Sequence, residues 1–361
     1  MSQLLSRLQN EYAVLTDPVG KAEVAARMAG VFARQGRFTD ARKVIGHIQQ
    51  GFGKGESGQV TVMKMIAEGL VFHYEKLSPE ANTRLLGALS LARMIGFRAG
   101  IALACAWKAH VEFERSEFAS MAESLRTALA NVDVDQHDAW VRIAAVMSNA
   151  SLICGLSEKG QSWFKRGHEH AAKLGDTESI DALLYNKAAF SVAGLRVLAC
   201  SDTVSSDLLS RARGEVNSAR NLQQLAGVTA LSAHVDLLNA RLLILERDFE
   251  GAIGALQAVR VKEPFAAHNF HQSLMDLEID YCQAMLGTSE SSQLQDTEQL
   301  AGSLAELDVD DRLIALWMLR EIHRNQGRDV ADAGLEMRFA QTRREYESER
   351  ASLRELMNSV S

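Results

Sequence analysis

Residues 35–48, QGRFTDARKVIGHI, return 211 positions later as residues 246–259, ERDFEGAIGALQAV. Each copy opens on a turn and continues with an aromatic, Phe38 or Phe249. A small residue follows three positions on, Ala41 or Ala252, and then apolar residues at helical spacing, Ile45 and Ile48 or Leu256 and Val259. Residues three and four apart share a helix face, so this pattern describes a helix that packs along one stripe. A packing motif that recurs far along one chain predicts a repeat array, and repeat arrays present extended binding surfaces.

Working outward, residues 22–50 read as a helix-turn-helix. Met28, Ala29 and Phe32 face the second helix, Gly36 permits the turn, and small Ala29 and Ala41 allow close backbone approach. Asp17-Pro18 reads as an N-cap followed by a helix-compatible proline, after a first amphipathic helix over residues 3–15. Weaker copies of the pair follow at 60–96, 99–131, 139–175 and 180–227, with turns expected at 77–81, at Ser116, near Glu158 to Gly160 and at 201–207. The clear copy occupies 230–260, and divergent pairs span 268–307 and 312–340.

Composition agrees. Only Pro18, Pro79 and Pro264 occur in 361 residues, and proline is the residue that interrupts helices. Period-two runs of β-branched residues are hard to find. The predicted fold class is all-α. The net charge of -7, with both signs interspersed, disfavours a nucleic-acid binder, which needs a dense cationic face. No window approaches 18 uncharged apolar residues, so no membrane partner is expected, and the N-terminus lacks the apolar core of a signal peptide. Cys105, Cys154, Cys200 and Cys282 lie far apart with no CxxC pair, as buried thiols of a reducing compartment do. The expected location is cytoplasmic.

The pattern of small residue, turn glycine, aromatic and alanine in residues 22–50 resembles the tetratricopeptide repeat. Units 36 to 45 residues apart are similar to the extended arrays of bacterial regulatory and signalling proteins. The resemblance implies a right-handed superhelical solenoid of antiparallel helix pairs, about eight of them over residues 1–334, with a long C-terminal helix over 335–361. It also implies that the first helix of each pair lines a concave groove. Carried onto this chain, the groove residues are Arg34, His73, Tyr74, His110, Glu114, Asn149, Asn186, Lys187, His234, Arg241 and His271. Asn, Lys and Arg there can hold a peptide backbone or a carboxylate through charge-assisted hydrogen bonds.

Signatures of chemistry are few. Residues 53–58, GKGESG, have the spacing GxGxxG but follow a helix, not a strand, and so read as an inter-repeat linker. His268 with His271, and His168 with His170, lack the companion ligands of a zinc site; Asp133, Asp135 and Asp138 lack the glycine and closing glutamate of a calcium loop. No nucleophile-base motif occurs. Expected, then, are no catalytic residues, no metal and no cofactor. Trp107, Trp140, Trp163 and Trp317 read as inter-helix packing.

The C-terminal positions Leu335, Phe339, Thr342, Tyr346, Glu349, Leu353, Leu356 and Val360 repeat every 3.5 residues, as a coiled-coil seam does. Two readings stand: an amphipathic helix capping the last repeat, or a homodimer helix. For function, the expectation is a non-enzymatic scaffold or adaptor that binds a protein or peptide. The alternative is an input module of a signalling protein, coupled through the C-terminal helix to an output domain such as a diguanylate cyclase or a DNA-binding unit.

Overall fold

The computed structural model describes residues 3–52, 57–227, 231–262, 269–288, 307–327 and 333–360, without the side chains of Phe52, Lys262, Asn269, Phe270 and His271. Among the described residues the chain is all-helical, with 86% in helix and no strand. The helices are α1 (Gln3–Val14), α2 (Pro18–Arg34), α3 (Phe38–Phe52), α4 (Gly58–Lys76), α5 (Glu80–Met94), α6 (Arg98–Glu114), α7 (Phe118–Asn131) and α8 (His137–Ile153). They continue as α9 (Ser157–Leu174), α10 (Thr177–Ala199), α11 (Ser206–Ala226), α12 (Ser232–Leu245), α13 (Phe249–Lys262), α14 (Asn269–Leu286), α15 (Val309–Asn325) and α16 (Ala333–Ser359). The chain divides into two compact units, residues 1–183 with 353–361 and residues 184–352. No described helix is long and apolar enough to cross a membrane.

One turn geometry recurs. After α2 the amide of Arg37 donates to the carbonyl of Phe32 at 2.9 Å, closing the C-terminal loop that satisfies a helix's last carbonyls. The same bond joins Phe97 to Ala92, Glu117 to Glu112, Leu156 to Ser151 and Asp248 to Leu243, all at 2.8 to 3.0 Å. The motif needs a left-handed residue one position earlier. Gly36 (φ 71) supplies it in the first copy, but Ser116 (φ 57) and Arg247 (φ 64) adopt it without being glycine. The turn expected near Glu158 to Gly160 sits earlier, at Gly155 (φ 77), and Glu158 to Gly160 belong to α9. Gly160 serves a close approach instead: a Cβ there would stand 2.7 Å from Leu152 Cγ.

In the first unit α2 packs on α3 and α4, α4 on α5 and α6, and α6 on α7 and α8. Asp17 caps α2 by accepting from the Gly20 amide at 2.7 Å, with Pro18 as the first helical residue. The core runs through Leu5, Leu8, Leu85, Met121, Leu125, Ile143 and Met147. Leu353 and Met357 from the end of α16, and Val360 just after it, are buried in the same core. Lys159 donates to the Val360 carbonyl at 2.8 Å, and Arg354 to the Cys154 carbonyl at 2.9 Å.

In the second unit α11 packs on α12, α12 on α13, α13 on α14 and α14 on α15. Its apolar interior has two parts, one around Leu256, Leu274, Met275 and Leu313, the other around Val192, Val216 and Leu242. Leu335 and Phe339, from the start of α16, are buried in the first part, and Tyr346 packs against it. Of the 3.5-residue seam, Leu335, Phe339, Leu353 and Val360 are core contacts inside the units and Thr342 is buried, whereas Glu349 is half-buried and belongs to neither core. The segment over 53–56 lies outside the described residues; Ser57, which follows it, caps α4 by accepting from the Val60 amide at 3.2 Å.

Candidate ligand-binding cleft in the first unit

The successive contacts of α2, α4, α6 and α8 leave a cleft of about 630 Å³, counting the space open to solvent. Its walls are apolar, with Val31, Ile66, Leu70, Leu103 and Val141 facing in. Charged groups gather among these walls. Arg34 of α2 donates to Asp176 Oδ2 at 2.9 Å and to Ser179 Oγ at 2.8 Å. Asp176 in turn accepts from the Ser179 amide at 3.1 Å and so caps α10. Burial raises the Asp176 carboxyl, but Arg34 and Ser179 outweigh it and hold the group below its ordinary range. Arg34 is matched.

Arg142 is not. Its guanidinium lies 3.8 Å from the Trp107 ring centroid, on the cleft lining, and its Nε is shut off from solvent with no hydrogen-bond partner. Burial pushes its pKa down, which is the signature of a cation without full compensation. Tyr74, Arg34, Asp176 and Glu114 are close enough to act on it electrostatically, yet none forms an ion pair with it among the described residues.

Beside Trp107 and Arg142 stands a second cluster. His73, near the end of α4, directs Nε2 to Glu114 Oε2 at 3.1 Å. His110, one helical turn before Glu114 on α6, has its Nε2 3.2 Å from Glu114 Oε1. The geometry there falls outside that of a hydrogen bond, and His110 Nε2 is left buried without a partner. The His73 and His110 rings meet edge to face with centroids 5.3 Å apart, and Tyr74 and Trp107 close the sides. Burial drives the His110 pKa down to about 3, so the ring is neutral. Burial alone would raise Glu114, but its neighbours His110 and His73, the His73 hydrogen bond and the Arg142 charge outweigh it and bring the carboxyl down to about 2. Two imidazoles and a carboxylate at such spacing are the donor types of a metal site.

Five groove residues named from the sequence thus converge: Arg34, His73, Tyr74, His110 and Glu114. Asn149 lies on α8 at 5% exposure. In the second unit Asn186 is partly buried on α10, while Lys187 pairs with Glu215 of α11 at 3.1 Å. His234 meets Tyr185 edge to face at 5.8 Å. Arg241 is 9% exposed and donates to Glu278 at 2.9 Å; Glu278 also pairs with Arg196, which reaches Asp311 at 3.4 Å. The His271 side chain lies outside the described residues.

Trp107, Arg142, Asp176 and Ser179 do not stand out in the sequence as site residues. The tryptophan has a packing role as well, since it borders the core. A usable signal was its register: Trp107 precedes His110 by three positions and so shares a helix face with it. Asp176 and Ser179 lie 142 and 145 residues from Arg34, and no local spacing announces that partnership. No family model matches the chain, and no curated protein matches it.

Proposed function

We propose that this chain is a non-enzymatic, cytoplasmic binding scaffold of the tetratricopeptide type, a right-handed solenoid that takes a segment of a protein or peptide along its first helices. The supporting pattern, in the first unit, is the contact of α2 with α4, α4 with α6 and α6 with α8, at one repeat's spacing. In a stack of helix pairs such contacts generate a continuous concave surface.

The single observation that carries the reading is the cleft of the first unit, with Arg142 on its lining. Apolar walls give affinity to an apolar segment, and a half-buried cation with no ion pair among the described residues favours an acidic group on it. The Arg142 guanidinium rests over the Trp107 ring at 3.8 Å, a contact that restricts its donors before a ligand arrives. That preorganisation lowers the entropy lost on binding.

The test is selection of peptides from a random display library on the immobilised full chain, followed by fluorescence-polarisation titration of the selected sequences. The expectation is apolar peptides carrying an acidic group, whose affinity falls about tenfold or more when Arg142 becomes Gln, a loss of at least one charge-assisted hydrogen bond. Selected peptides that bind Arg142→Gln as tightly as the parent would remove the cleft from the proposal. Enrichment of no sequence at all would remove peptide binding.

A further inference from the structure

We infer that His73, His110 and Glu114 form a binding site for a divalent transition-metal ion of the zinc class. His110 and Glu114 are four residues apart on α6, the spacing that puts two side chains on one face of a helix. His73 comes from the final turns of α4, which packs against α6. No two of the three donor atoms are more than 4.8 Å apart. A tetrahedral zinc ion with bonds of about 2.0–2.1 Å holds its ligand atoms roughly 3.4 Å from one another. The 3.1 Å and 3.2 Å separations to the Glu114 oxygens are already near that spacing.

The hydrogen-bond geometry supplies an independent reason. His110 is 9% exposed, and its Nε2 is buried, directed at a carboxylate oxygen, and without a hydrogen bond. If that nitrogen carries a proton, the donor is misdirected; if it carries a lone pair, it opposes the lone pairs of the carboxylate. A cation between the three groups resolves both, because each donor then directs a lone pair at the ion. Two imidazoles and one carboxylate form a borderline N₂O set, suited to zinc, cobalt, nickel or copper and not to calcium or magnesium, which take oxygen shells. Three protein ligands leave a fourth position for water or for a donor from a bound molecule.

Arg142 bears directly on this site. Its charge acts on both His110 and Glu114 and opposes a second cation. The site therefore binds metal more weakly than its ligands alone would dictate, and removing the guanidinium strengthens it. A merely structural polar cluster has no reason to show that response.

The experiment needs no peptide, so it stands or falls separately from the scaffold reading. The full chain, stripped with a chelator, is titrated with Zn(II) against a chromophoric competitor, and with Co(II) while visible d–d bands are recorded. One equivalent should bind, with cobalt bands of four-coordinate character. Glu114→Gln and His73→Gln should each weaken binding about tenfold or more, by analogy with the loss caused by disturbing even outer-shell partners. Arg142→Met should tighten it. The doubly substituted His137→Ala, His170→Ala chain should bind as the parent does, although those two rings also approach, with Nδ1 atoms 2.9 Å apart. Far-UV circular dichroism identifies any variant that fails to fold, and Arg142→Met leaves all three ligands in place. Zinc binding unchanged by both Glu114→Gln and His73→Gln, or no binding by the folded parent, overturns the assignment.

Discussion

The charged network inside the second unit gives the sharpest energetic prediction. Glu278 is fully buried and accepts from Arg241 at 2.9 Å while also pairing with Arg196. The three groups are not equivalent. Glu278 is the shared partner; Arg196 keeps Asp311 at 3.4 Å if Glu278 is lost, whereas Arg241 has no second ion pair among the described residues. Removing one partner of a buried pair costs about 3–5 kcal/mol, chiefly because the other charge is left without compensation. Glu278→Leu should therefore cost about 3–5 kcal/mol. Arg241→Met leaves Glu278 bonded to Arg196 and should cost less, about 1.5–3 kcal/mol for a charged hydrogen bond. The double variant removes the hub and the stranded cation together, so it should be less unstable than the sum by about 1 kcal/mol or more.

The second unit spans residues 184–352, a size at which 1 kcal/mol moves a melting temperature by roughly 2–4 °C. Glu278→Leu should then lower the transition by roughly 6–20 °C. Fluorine-labelled tryptophan resolves Trp317 from the three tryptophans of the first unit, so its ¹⁹F signal follows this unit through heat or urea unfolding. If Glu278→Leu costs less than about 1 kcal/mol, or if the two single effects simply add, the buried hub is not coupled as described.

The remaining predictions concern acid, thiols and turns. Asp176 has a depressed pKa, so its contribution is present above the ordinary carboxylate value near 3.8 and is lost as pH falls through the lower native value. Urea midpoints between pH 5 and 2 should thus fall more steeply for the parent than for Asp176→Asn, and equal slopes would contradict the Arg34 pairing. Burial raises the thiols of Cys105 to about 11 and of Cys200 and Cys282 to about 12, so the native chain should resist thiol-directed labelling at about pH 8. The four cysteines should all react in urea; rapid native labelling of Cys105 or Cys282 would refute their burial. Ser116→Gly replaces a left-handed serine and should stabilise the first unit by about 0.5–1 kcal/mol, whereas Gly36→Ala should destabilise it by about 1–2 kcal/mol, both read from urea midpoints.

The all-helical fold was legible because packing in a repeat is local. Phe38, Ala41, Ile45 and Ile48 lie within three helical turns, and their spacing alone announces the face that packs. The turns were legible from repeat register as well as from glycine: Ser116 and Arg247 close the same backbone bond as Gly36 at places where the repeat calls for a turn. Near Glu158 to Gly160 the sequence misleads, because Gly160 serves a close approach and the left-handed residue is Gly155. Polar positions follow another logic. Arg34 and Arg241 both read as groove cations on first helices, yet each is matched by a carboxylate brought from outside its own helix pair, Asp176 and Glu278. Composition and register cannot distinguish a matched cation from an unmatched one. Among the groups of the first unit left without a direct partner, half-buried Arg142 and buried His110 both stand against Trp107. Burial of an unpaired polar group lowers stability, and the proposed ligand and metal sites would account for two such groups standing side by side.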